Sequence, residues 1–155
     1  LQYSADTQTY TVTVATKAAT HPYYGTGSSN GYLINGLVSP YLNFIPRNTY
    51  RFDHSDSSND GHPLRFYYDV GKTTQYTSGV TTSGTPGNSG AYTQIVVSDT
   101  TPHILYYQCS SHPYMGNRIA VNSKVLQDVS FVSTTGSAVR FATNAFAIAQ
   151  AVALG

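Results

Sequence analysis

The 155-residue chain contains no glutamate and no tryptophan, one cysteine and one methionine, and only 10% of its residues are charged. Each scarcity excludes something. A single cysteine cannot build an internal disulfide framework. Charged residues usually make up about a quarter of a globular domain, so this surface must be polar through Ser, Thr, Asn and Tyr instead. A formal net charge of +1 offers no field that would draw nucleic acid or an anionic membrane. No apolar run reaches the length of a membrane span. No Ser/His/Asp set and no paired carboxylates stand out, which argues against an enzyme. The glycine-rich stretch from Gly79 to Gly90 is followed by no lysine and no helix start, so it reads as a loop and not a phosphate cradle. Asp56, Asn59 and Asp60 lack the spacing of a calcium loop and read as turn formers. The sequence begins at Leu1 rather than Met, as in a processed or truncated product.

What remains is a composition for β-structure. Hydrophobic residues make up 40% of the chain, and there are 14 tyrosines. Thr9–Val14 alternates with period two and places Tyr10, Val12 and Val14 on one face. Further strands are expected at 32–34, 41–45, 49–53, 64–68, 92–97, 104–107 and 118–121, with Tyr50 and Phe52 facing inward. The segment 73–88 reads as a short strand and a long turn. Strands at such intervals, with turn residues and no helical period between them, predict an all-β, Greek-key β-sandwich over 1–121, its core at about 30–121. Segment 122–155 is expected to be a C-terminal β extension. Within it 129–132 and 138–141 look like strands. Phe146, Ile148, Val152 and Leu154 alternate with alanines. Alanine also permits a helix there, but the period of two favours a strand that seeks a partner sheet.

The scarce residues are not scattered. Cys109-Ser-Ser-His112-Pro-Tyr-Met115 holds the only cysteine and the only methionine, with a histidine three residues from each. Thiolate, imidazole and thioether are the ligand types copper prefers, and a His₂Cys set with a weak axial Met needs one more histidine. His62, in Asp60-Gly-His62-Pro63, is the best candidate. Pro63 and Pro113 directly follow the two histidines and stiffen the backbone there. The plainer alternative makes Cys109 a buried small hydrophobe and Met115 a gap filler. His21, His54 and His103 read as ordinary exposed or hydrogen-bonded histidines.

The ordered set His62, Cys109, His112, Met115, with Leu105-Tyr-Tyr-Gln-Cys109 as the strand before the loop, resembles the cupredoxins. The short Cys-x-x-His-x-x-Met form with Pro after His is most similar to amicyanin. The resemblance implies a cupredoxin-like sandwich and one type 1 copper site with these four residues as ligands. Residues 49–66, 76–97 and 105–112 are also similar to cupredoxin-like modules in virion structural and tail-fibre proteins of marine cyanophages, over about residues 30–120. This chain departs from them in a shorter insert, Asp69–Lys72, and in His112-Pro-Tyr-Met115 where they tend to carry His-Ser-Gly-Met.

That second resemblance implies a structural subunit of a virion appendage, fibre or other surface assembly, partnered by copies of itself or other structural subunits. The low charge and the alternating tail favour it, with Phe146, Ile148, Val152 and Leu154 as assembly residues. The alternative is a soluble type 1 copper electron-transfer protein, periplasmic and with a redox partner, docking through the exposed edge of His112.

Overall fold

Alternation along the strands decides which side chains enter the core. The computed structural model describes residues 5–122, together with the backbone of 132–134 and 137–139. In β1 (Thr7–Thr16) Tyr10 and Val12 are buried, Val14 is partly buried, and Thr9 and Thr11 face water. β2 (Asn30–Ile34) and β3 (Leu37–Val38) form a hairpin through Asn35-Gly36, both at positive φ, as a tight two-residue turn requires. β4 (Leu42–Phe44) and β5 (Thr49–Asp53) follow. β6 (Leu64–Tyr67), β7 (Gln75–Tyr76) and β8 (Val80–Ser83) come next. β9 (Tyr92–Val96), β10 (Ile104–Cys109) and β11 (Asn117–Val121) complete the sandwich.

The strands make two mixed sheets, in the orders β3-β2-β1-β5-β9-β8 and β4-β11-β10-β6-β7. The chain passes from one sheet to the other after β3, β4, β5, β7 and β9. Among the described residues, only β1 with β5 and β4 with β11 pair in parallel. This is the all-β sandwich expected from the sequence. The segment 73–88 differs from expectation by holding two strands. β8 is rich in threonine with little alternation in burial, so its pairing with β9 left little trace in the pattern.

Aromatic rings join the sheets. Phe44 stacks on Tyr50 at 3.9 Å, and Phe52 meets Phe66 edge-on at 5.5 Å and Tyr107 at 6.1 Å. A buried tyrosine needs a partner for its hydroxyl. The Tyr50 hydroxyl accepts from the Ile45 amide at 2.8 Å, and that of Tyr107 donates to the Pro40 carbonyl at 2.7 Å. Burial, and then neighbouring Tyr50, push the Tyr10 phenol up to about 12.

The chain divides into two compact units, Leu1–Asn122 and Ser123–Gly155. In the second, β12 (Val132–Thr134) and β13 (Ser137–Val139) form an antiparallel hairpin, with Val132 opposite Val139. The strands expected at 129–132 and 138–141 overlap these in part. The alternating segment with Phe146, Ile148, Val152 and Leu154 lies outside the described residues.

Candidate metal centre

The β6–β10 ladder builds the site. Its antiparallel register sets Cys109, the last residue of β10, opposite Leu64, the first of β6. His62 stands two residues before Leu64, so the pairing carries its loop to the cysteine. Beyond the ladder the Ser110 amide donates to the Pro63 carbonyl at 2.9 Å. The His62 amide donates to the Asn59 carbonyl at 2.8 Å, and the buried Asn59 side chain donates to the Val12 carbonyl at 2.8 Å. The loop bearing His62 is thereby tied to both sheets.

Three of the four residues singled out in the sequence come together. The Nδ1 atoms of His62 and His112 lie 3.8 Å and 3.7 Å from the Cys109 Sγ, and all three donor atoms fall within 4.8 Å of one another. The imidazole rings are 4.6 Å apart, tilted by 46°. A first-row metal bonds to sulfur at about 2.3 Å and to imidazole nitrogen at about 2.0–2.1 Å, which puts S and N roughly 3.6–3.8 Å apart in tetrahedral or trigonal geometry. The observed spacings match that range, and they are long for a direct hydrogen bond. The donor set therefore fits a metal ion. Soft thiolate with imidazoles suits copper, and it also suits zinc.

Burial is graded across the group: Cys109 is fully buried, His62 half-buried and His112 exposed. Burial first, then the neighbouring His112, lower the His62 pKa, with Asp60 opposing. A lowered value keeps the ring neutral, as a metal ligand must be.

Met115, the fourth residue, is fully buried in the same core cluster as Cys109. Tyr114 before it has a φ of 60°, a left-handed conformation unusual for a tyrosine. Gly116 after it crosses β10 so closely that a Cβ would lie 1.8 Å from the Tyr107 carbonyl oxygen, so only glycine fits. Its amide donates to the buried Gln108 Oε1 at 2.8 Å.

Supporting residues escaped the sequence reading. The buried Tyr32 donates its hydroxyl to the His62 carbonyl at 2.8 Å. Lys72 reaches from another loop and donates Nζ to the carbonyls of Cys109 at 2.9 Å and Ser110 at 3.2 Å. Neither has a motif; the one signal near the ligand loop was a glycine directly after Met115. His54 is buried and His103 exposed, and neither joins the group.

No family model matches the chain, and no curated protein matches it. Among solved structures it is similar to rusticyanin. Reduced rusticyanin is 14% identical with a TM-score of 0.41, over 77% of this chain and 82% of that one. A rusticyanin structure described as that of a copper protein gives 14% and 0.41, over 77% and 80%. Rusticyanin from Thiobacillus ferrooxidans gives 14% and 0.37, over 77% and 80%.

Proposed function

We propose that this chain is a copper-holding cupredoxin-like domain in which His62 Nδ1, Cys109 Sγ and His112 Nδ1 bind one ion, with Met115 as a weak fourth ligand. The carrying observation is the spacing of the three donors, which is that of atoms around a shared metal. When bound, copper supplies one-electron chemistry. The chain's part is to hold the Cys109 sulfur away from water, bring the two imidazoles beside it, and leave His112 as the group nearest solvent. The test is Cu(II) titration of metal-free protein. A strong visible thiolate-to-copper band should appear, and Cys109→Ser should abolish it, because an alcohol is not ionised at neutral pH. No band at saturating copper overturns the reading.

For the wider role we infer a building block of a virion appendage, fibre or surface assembly, paired with copies of itself or other structural subunits. The low charge and the alternating apolar residues at 146, 148, 152 and 154 support it. The exposed His112 beside a buried Cys109 supports instead the soluble electron carrier, periplasmic and with a redox partner. Sedimentation separates them. Ordered polymers that dissociate when residues 144–155 are deleted fit the building block, and a monodisperse monomer fits the carrier.

A further inference from the structure

One backbone carbonyl in the ligand loop gathers an unusual number of donors. The Met115 oxygen accepts from the Tyr32 amide at 2.8 Å, lies 2.9 Å from the Ser39 hydroxyl and 3.3 Å from His21 Nε2. His21 and Ser39 are 3% and 1% exposed, so these are interior contacts and not surface accidents. They come from segments 94 and 76 residues away from Met115 in sequence.

The hydrogen positions follow from the partners. The Tyr23 amide donates to His21 Nδ1 at 3.0 Å, so that nitrogen carries no proton and the neutral ring holds its proton on Nε2. Nε2–H points at Ser39 Oγ, 2.9 Å away. Having accepted that bond, the Ser39 hydroxyl donates onward to the Met115 or Tyr32 carbonyl, each at 2.9 Å. Ser39 is itself pinned. Its φ is 33°, its amide donates to the Tyr32 carbonyl at 2.9 Å, and its carbonyl accepts from Asn117 Nδ2 at 2.8 Å. Gly31 lies so close to the His21 ring that a Cβ there would come within 2.5 Å of it. Burying an imidazole and a hydroxyl is costly unless both are satisfied. Here both are, and the relay ends on two carbonyls, those of Met115 and Tyr32, whose residues are themselves joined by the Tyr32 amide donating to the Met115 oxygen.

We infer that His21 and Ser39 are positioning residues for Met115: their relay fixes the Met115 peptide and, through it, how closely the thioether approaches the metal position between His62, Cys109 and His112. This rests on the copper reading proposed above. The other ligands have their own supports, Asn59 and Tyr32 for His62 and the β6–β10 ladder for Cys109, so the relay acts on the Met115 side. A long, weak axial contact is the element of such a site through which potential and spectrum are tuned.

The test compares copper-loaded wild type with Ser39→Ala, His21→Phe, His21→Gln and, as a reference, Met115→Leu. The readouts are the electron paramagnetic resonance spectrum, the intensity ratio of the visible bands and the reduction potential. Ser39→Ala and His21→Phe should shift all three readouts away from wild type. His21→Gln, whose amide nitrogen can stand where Nε2 stood, should return them toward it. A second readout needs no metal: exchange of the Tyr32 amide, which is bonded to the same carbonyl, should speed up about tenfold in Ser39→Ala and His21→Phe but not in His21→Gln. If Ser39→Ala does not fold, the two His21 variants decide. Spectra and potential equal to wild type in both His21 variants, while Met115→Leu changes them, overturn the inference. If wild type gives no thiolate band, the copper reading fails by itself. Unaltered Tyr32 exchange would then show separately that the relay does not hold the Met115 peptide.

Discussion

The amide of Ser110 donates to the carbonyl of Pro63 across 2.9 Å, joining the residue after Cys109 to the residue after His62. Proline has no amide proton to give, but its carbonyl is free to accept. The pairing continues the β6–β10 ladder by one bond into the two loops. The backbones of the two loops that carry Cys109 and His62 are therefore held side by side by hydrogen bonds.

Because the pocket is preformed and His112 is its exposed member, His112→Gly should still fold and should bind Cu(II) weakly. Adding free imidazole to the copper-loaded variant should restore most of the thiolate band, since a small ligand can occupy the vacated solvent-side position. Cys109→Ser should gain no band from imidazole. Titration followed by visible absorption checks both, and rescue of Cys109→Ser would count against thiolate ligation.

Gly116→Ala should destabilise the domain by about 2–4 kcal/mol, because backbone and ring of Tyr107 must shift to admit the methyl group. Gly36→Ala is the control. Its Cβ would meet nothing within 4 Å, but φ is +79°, so only the left-handed strain of about 1–2 kcal/mol applies. Urea unfolding of the metal-free proteins measures both. Equal losses would mean that the close approach to Tyr107 is not a constraint.

Phe52 touches rings from both sheets: Tyr10 at 5.1 Å, Phe44 at 6.3 Å, Phe66 at 5.5 Å and Tyr107 at 6.1 Å. Phe52→Ala should cost about 3–5 kcal/mol. A loss under about 1 kcal/mol in chemical denaturation would contradict its central place.

Metal-free stability should fall on acidification. Burial is the leading cause that lowers the pKa values of His21, His54 and His62 below their ordinary 6.5. Between the ordinary value and the lowered folded values the unfolded chain binds protons that the folded chain refuses, so stability is full above about 6.5 and declines below it. Urea midpoints in the presence of a chelator, measured from pH 7.5 to 5, should drop steadily. A midpoint that holds or rises toward pH 5 would contradict this.

The strands were legible where one face is buried and the other wet. Thr49–Asp53 shows Tyr50 and Phe52 inward, and the sequence marked that segment to the residue. β8 was hidden because Thr81 and Thr82 are both exposed. The group of His62, Cys109 and His112 could be picked out because the residues of the 109–115 loop are rare in this chain and a polar loop leads into His62. His21 read as an ordinary histidine, and nothing local distinguishes it. Its role depends on Ser39 and on the Met115 peptide, and contacts across such separations leave no periodicity to read. Lys72 was hidden for the same reason: a lone lysine at a φ of 61° shows no target until β6 and β10 have set its loop beside Ser110.

The two parallel pairings have a kinetic consequence. β1 meets β5, and β4 meets β11, between segments far apart in the chain, Leu42 lying beside Ile119. Such closures lose chain entropy before any contact offsets it, and domains dominated by them fold in milliseconds to seconds, not microseconds. Cys109 ends β10, which lies beside β11, the strand that β4 joins from far along the chain. Until β4 and β11 meet, that edge of the second sheet is open, and exposed strands compete for intermolecular pairing. The risk of misassembly for this domain is therefore greatest while that edge is still open.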